Sequence, residues 1–240
     1  MFRIQLRKNN YSTQNIFLIL VSFLGLFFLL SMYLWSPQAT TYYPLQKSLI
    51  LLLFIVICLL GMLAATCPSK CKTLMKFQND SKQKTIDEDN IEFEGHHPDC
   101  GKFSSHTLNI NGKRYCPGCL GLFIGAFIAI VGTLIYYFVG YPLIYGEISF
   151  WIGFGVVFLV LLLIVFLNLE KKLKFISNMA LVMGSFLILL GLDSVKGNLI
   201  MELYFLILVI FWILTRIVVS ETSHEIICRD CLKKSICVYE

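Results

Sequence analysis

The sequence predicts an all-α integral membrane protein of about six transmembrane helices, with a small zinc-ribbon-like Cys/His module between the second and third. Three observations lead there. Of 240 residues, 57% are hydrophobic and 15% charged, whereas a soluble domain carries about 25% charge. Six apolar runs approach the roughly 20 residues needed to cross a bilayer core: 16–35, 48–65, 119–138, 149–168, 176–193 and 199–219. These runs are apolar on every face, which leaves a soluble helical protein no side for water. Finally, His and Cys residues cluster between the second and third runs.

The net charge of +5 could suggest nucleic acid, but its placement argues against that. With the amino terminus inside, Arg3, Arg7 and Lys8, the basic residues of the long loop, Lys171, Lys172, Lys174, Arg216, Arg229, Lys233 and Lys234 all fall on the cytoplasmic side. Only Lys47 and Lys196 fall outside. This is the positive-inside bias, so the charge reports topology. The expected location is the inner cell membrane, multi-pass, with both termini cytoplasmic. The expected partners are the lipid bilayer and a cytosolic protein, with homo-oligomers allowed and no nucleic acid.

Taken in order, residues 1–66 form an amino-terminal transmembrane hairpin. Its first run is too long for a signal-peptide core and lacks a small-x-small cleavage site, which predicts a retained helix. Residues 67–118 form a cytoplasmic loop carrying the metal-binding module. Its middle part, residues 72–95, with the acidic run Asp87-Glu88-Asp89, is too polar to bury a core and reads as a flexible linker. Its second half is punctuated by Pro98, Gly101 and Asn111-Gly112. Asn-Gly is a strong two-residue hairpin signal, and its flanks, 107–110 and 113–115, suit short strands. Residues 119–219 form a four-helix transmembrane bundle, antiparallel because its connections are short. The fifth run is the least regular, diluted by Ser177, Asn178 and Ser185. Residues 220–240 form a cytoplasmic, Cys-containing tail.

The third run opens with Gly121, Gly125 and Ala129 at four-residue spacing, followed by Gly132. Small residues so placed let another helix approach closely. Ala180 and Gly184 on the fifth run are the expected partner face. Glu202 and Arg216 stand near opposite ends of the sixth run, where long side chains can reach the interface. No run carries a charge near its middle, which argues against a transporter.

Nine cysteines are many for this length. Thiols facing the cytosol stay reduced, so paired cysteines there favour metal over disulfides. An inverted chain would instead favour a disulfide relay. The principal site is His97, Cys100, Cys116 and Cys119. Fifteen residues separate the pair His97-x2-Cys100 from Cys116-x2-Cys119, and ligands two residues apart can fold around one tetrahedral ion. Pro117-Gly118 supplies the turn. Cys119, near a helix start, gains from the positive end of the helix dipole. His96, His106 and Asp99 are spare ligands or orienting partners. A second site could combine Cys67, Cys71, Cys228 and Cys231, with Cys237 as a substitute. Zinc is the expected ion. An iron–sulfur cluster is disfavoured by His97. Cys58 reads as an apolar filler.

Residues 96–138 resemble a family of prokaryotic membrane proteins built on domain of unknown function 2085. The resemblance rests on His97, Cys100, Phe103-Ser104, Gly112, Cys116, Cys119, Gly121 and Gly125. That family often carries Arg before its last Cys, where this chain has Gly118, and its later Asp-Gly pair corresponds to Asp193-Ser194. The resemblance implies that the cluster works as a unit and brings no activity with it.

Four protein ligands close a zinc coordination sphere, so the expected role is structural, in a binding or scaffold protein. Catalysis is not expected. The second reading is a membrane enzyme, with three zinc ligands and Asp99 or His106 as base, or a thiol-redox enzyme using Cys116 and Cys119. A transporter ranks third.

Overall fold

Uninterrupted apolar runs fold as helices because lipid offers no partner to the backbone, so every N–H must be satisfied within its own segment. The computed structural model describes residues 5–6, 13–37, 44–66, 93–94, 97–98, 108–110, 113–140 and 142–229. Helices α1 (Thr13–Trp35), α2 (Pro44–Thr66), α3 (Pro117–Val139), α4 (Leu143–Phe166), α5 (Lys171–Gly191) and α6 (Leu199–Arg229) make up its body. Each contains a stretch long and apolar enough to cross a membrane. The protein is therefore a multi-pass membrane protein, and its exposed Phe17, Leu24, Leu60, Ile135, Ile152 and Ile207 form the surface offered to lipid.

Short strands decorate the ends of these helices. Strands β1 (Gln5–Leu6) and β6 (Leu167–Asn168) pair antiparallel, which puts residues 5–6 beside the end of α4. Strands β2 (Phe93–Glu94) and β3 (His97–Pro98) pair with Glu94 opposite His97. Strands β4 (Leu108–Ile110) and β5 (Lys113–Tyr115) pair with Ile110 opposite Lys113. Only Asn111-Gly112 connects that last pair, as expected of this dipeptide. The hairpin runs directly into Cys116 and α3.

The helices do not pair simply in chain order. α5 lies between α3 and α4, while α1 lies along α6 and α2 along α3. α5 carries the most polar residues of any span and is also the most enclosed. Ser177, Asn178 and Ser185 are all buried; Ser185 donates to the carbonyl of Leu181 at 2.8 Å. Polar dilution therefore marks a helix facing protein rather than lipid. Between α1 and α6, Ser22 and Thr215 share a hydrogen bond of 2.7 Å, and Tyr204 donates to the carbonyl of Gly25 at 3.0 Å.

The glycine stripe on α3 does pack, but not against the expected face. A Cβ at Gly125 would meet the Met179 carbonyl oxygen at 3.0 Å and Val182 Cβ at 3.2 Å, and one at Gly121 would overlap the Phe175 carbonyl. The α5 residues beneath the stripe are thus Phe175, Asn178, Met179 and Val182. Gly184 turns the other way, where Gly153 of α4 would meet its carbonyl oxygen at 2.7 Å if it carried a Cβ. One helix lying between two neighbours presents two small-residue contacts, and sequence spacing does not say which neighbour takes which.

Two boundaries also move. No Gly or Pro interrupts 199–229, so α6 continues past the apolar stretch into the segment expected as tail. α5 ends in a π-helical turn, Leu192–Lys196, closed by Gly197 in the left-handed region at φ 55°. Asn198 then caps α6, accepting the Ile200 N–H at 3.0 Å, a preferred use of Asn.

Candidate metal centre

The centre begins with the turn Cys116-Pro117-Gly118-Cys119. Cys116 has extended backbone (φ −71°, ψ 121°) as the residue before a helix should, and Pro117 occupies the first helical position, where its missing N–H is no loss. The first helical bond, Leu120 N–H to the Cys116 carbonyl at 3.0 Å, fixes the turn. Cys116 uses no side-chain atom to cap the helix. Its side chain instead interacts with that of Cys119. Neither cysteine is in a disulfide, and both are partly buried.

Three helices meet at this turn. From α6, Arg216 reaches inward rather than out to the interface. Its guanidinium donates through Nε to Asn178 Oδ1 at 2.5 Å and interacts electrostatically with Cys119. From α5, Asn178 donates through Nδ2 to the Lys174 carbonyl at 2.5 Å, which fixes the orientation of its amide. Gly118 leaves the space that the Arg216 guanidinium fills, and any Cβ there would overlap it. Among the described residues the recorded ion pair lies at the far end of the bundle, and no carboxylate pairs with Arg216. A partly buried cation thus lies against Gly118, between the two cysteines in sequence, and no carboxylate pairs with it among the described residues.

Of the expected principal ligands, Cys116 and Cys119 are brought together. His97 stands on β3, and nothing of its side chain is described; Cys100 lies outside the described residues, as do His96, Asp99 and His106. Among the described residues, no three His, Cys, Asp or Glu side chains form a metal-holding group. Two cysteines at this spacing would supply two of the four donors of a tetrahedral site. For the second set, Cys67, Cys71, Cys231 and Cys237 lie outside the described residues. Cys228 stands on α6, eight residues beyond Ser220, about 12 Å along the helix axis. Cys58 is buried among apolar side chains, as expected.

A second polar cluster occupies the opposite end of the bundle. Glu202 was expected to reach the interface, yet it is 0% exposed. Residue Gln46 of α2 donates to Glu202 Oε2 at 3.2 Å and to the Gly197 carbonyl at 2.9 Å. The next residue, Lys47, lies 3.9 Å from Asp193 Oδ2 and 3.9 Å from the Tyr136 ring centroid. Tyr136 donates to the same Asp193 oxygen. Asp193, 4% exposed, sits in the π turn. The chain as compared with known protein families, curated proteins and solved structures matches none of them.

Proposed function

We propose that the chain is a membrane scaffold whose Cys/His module binds a structural zinc ion through His97, Cys100, Cys116 and Cys119. The observation that carries this is the Cys116–Cys119 pair, set beside an Arg216 that has no acidic partner among the described residues. Zinc with three thiolates and one neutral imidazole bears one net negative charge. A guanidinium donating N–H to a thiolate offsets that charge where the dielectric is low. It also orients the ligand from behind, as partners of metal ligands commonly do. The resemblance of residues 96–138 to the domain-of-unknown-function-2085 family supports treating the module as a unit. There the family often has Arg before its last Cys. Here Gly118 holds that position and Arg216 fills the space above it from α6.

With four protein ligands no site remains for a reactive water, so the ion's work is mechanical. It fastens the loop and the hairpin β4–β5 to the start of α3, at the end of the bundle where Lys171, Lys172 and Lys174 also stand. That basic end, turned to the cytosol of the inner membrane, forms the surface for a protein partner. Elemental analysis of the detergent-purified protein tests the ligand assignment. About one zinc per chain is expected, and a Cys116→Ser/Cys119→Ser variant should lose it. Equal metal in both would refute the assignment. Thiol-to-disulfide cycling of the two cysteines would point instead to a redox enzyme.

A further inference from the structure

Glu202 is the most unusual charged group in the bundle. It is fully buried, one turn into α6, and its Oε1 has no hydrogen-bond partner among the described residues. Its other oxygen accepts from neutral Gln46. The charged and titratable groups facing it are few. From α2 there is Lys47, engaged with Asp193 and the Tyr136 ring. From the π turn come Asp193, whose charge would repel an ionised Glu202, and Lys196. Lys196 is turned away, donating to the Ser36 carbonyl at 2.7 Å beside the Tyr33 ring. From α3, Tyr136 is committed to Asp193. Two buried carboxyl groups thus share one nearby ammonium, and it belongs to Asp193.

An ionised carboxylate buried without a counter-charge is expensive, so such a site holds a cation or a proton. An alkali ion needs several converging oxygens, whereas a proton needs one. We propose that Glu202 is a proton-binding site, neutral when the bundle is closed, with Asp193 ionised beside it on Lys47 and Tyr136. The proton keeps the contact of Gln46 and Lys47 of α2 with the break between α5 and α6. Its release would leave two carboxylates to compete for Lys47 and would loosen α2 from α6 at that end. A broken helix beside a buried carboxyl is a setting in which membrane proteins bind and release protons.

Infrared spectroscopy of the whole protein in phosphatidylcholine–phosphatidylglycerol vesicles tests this. At neutral pH the wild type should show the carbonyl stretch of a protonated carboxylic acid. The band should shift when glutamate is labelled with carbon-13, disappear on raising the pH, and be missing in Glu202→Gln. If that variant does not fold, Glu202→Asp serves: its band should persist but no longer respond to the glutamate label. Absence of the band from the wild type at neutral pH would overturn the proposal. So would insensitivity to the label in the wild type, or persistence of the band in Glu202→Gln. Loss of the band on adding sodium chloride at fixed pH would also overturn it, assigning the site to an alkali cation.

Discussion

Replacing Gly121 by leucine is expected to disrupt the bundle more than any other single substitution on α3. The added Cβ would overlap the backbone carbonyl of Phe175 and press on Asn178 Cβ at 3.2 Å. A carbonyl inside a helix cannot rotate away as a side-chain tip can. α3 and α5 must therefore separate, and overpacking of this kind costs on the order of 3 kcal/mol. Asn178 would move with α5, taking the Arg216 anchor with it. Gly155→Leu is the matched control, because a Cβ at Gly155 meets nothing within 4 Å. In an unfolding assay of the reconstituted protein, Gly121→Leu should lower stability sharply and Gly155→Leu should leave it unchanged. Equal effects would mean that the stripe does not carry the α3–α5 contact.

Arg216→Leu has the second-largest expected effect, and it acts on two properties at once. It removes the donor to Asn178 Oδ1 and the cation that acts on Cys119. Asn178 is 5% exposed, and a buried acceptor stripped of its partner costs about 1–3 kcal/mol. The same change leaves the thiolate charge of the proposed zinc site without compensation, for which metal affinity should fall roughly 10–100-fold. Arg216→Lys restores the charge but not the planar guanidinium that donates to Asn178 Oδ1. Competition with a chelator should therefore rank zinc retention as wild type, then Arg216→Lys, then Arg216→Leu. Identical retention in all three would remove Arg216 from the proposed metal centre while leaving its structural role intact.

The six helices were legible in the sequence because lipid imposes one simple rule: long, apolar and unbroken. The hairpin at Asn111-Gly112 was legible because few turns fit two residues. What sequence could not supply was the neighbourhood of each helix. Ser177, Asn178 and Ser185 made α5 look like the weakest span, when their burial shows it at the centre of the bundle. Cys116 and Cys119 announce themselves by spacing and helical position. Arg216 does not, since its approach to Gly118 depends on how α6 crosses α3. Glu202 near a helix end reads as a side chain bound for the interface, because Gln46, which holds it inside, belongs to a distant helix. A signal was nonetheless present: Gly118 between two cysteines is room for something, and Glu202 is the lone acid of a span with no basic residue one turn away.

X-ray absorption at the zinc edge of the purified wild-type protein tests the proposed metal centre most directly, because it counts the donors around any bound ion. A shell of three sulfurs at about 2.3 Å and one nitrogen at about 2.0 Å is expected, with no zinc edge left in Cys116→Ser/Cys119→Ser. A shell of oxygen and nitrogen alone, or a protein free of zinc, would contradict it.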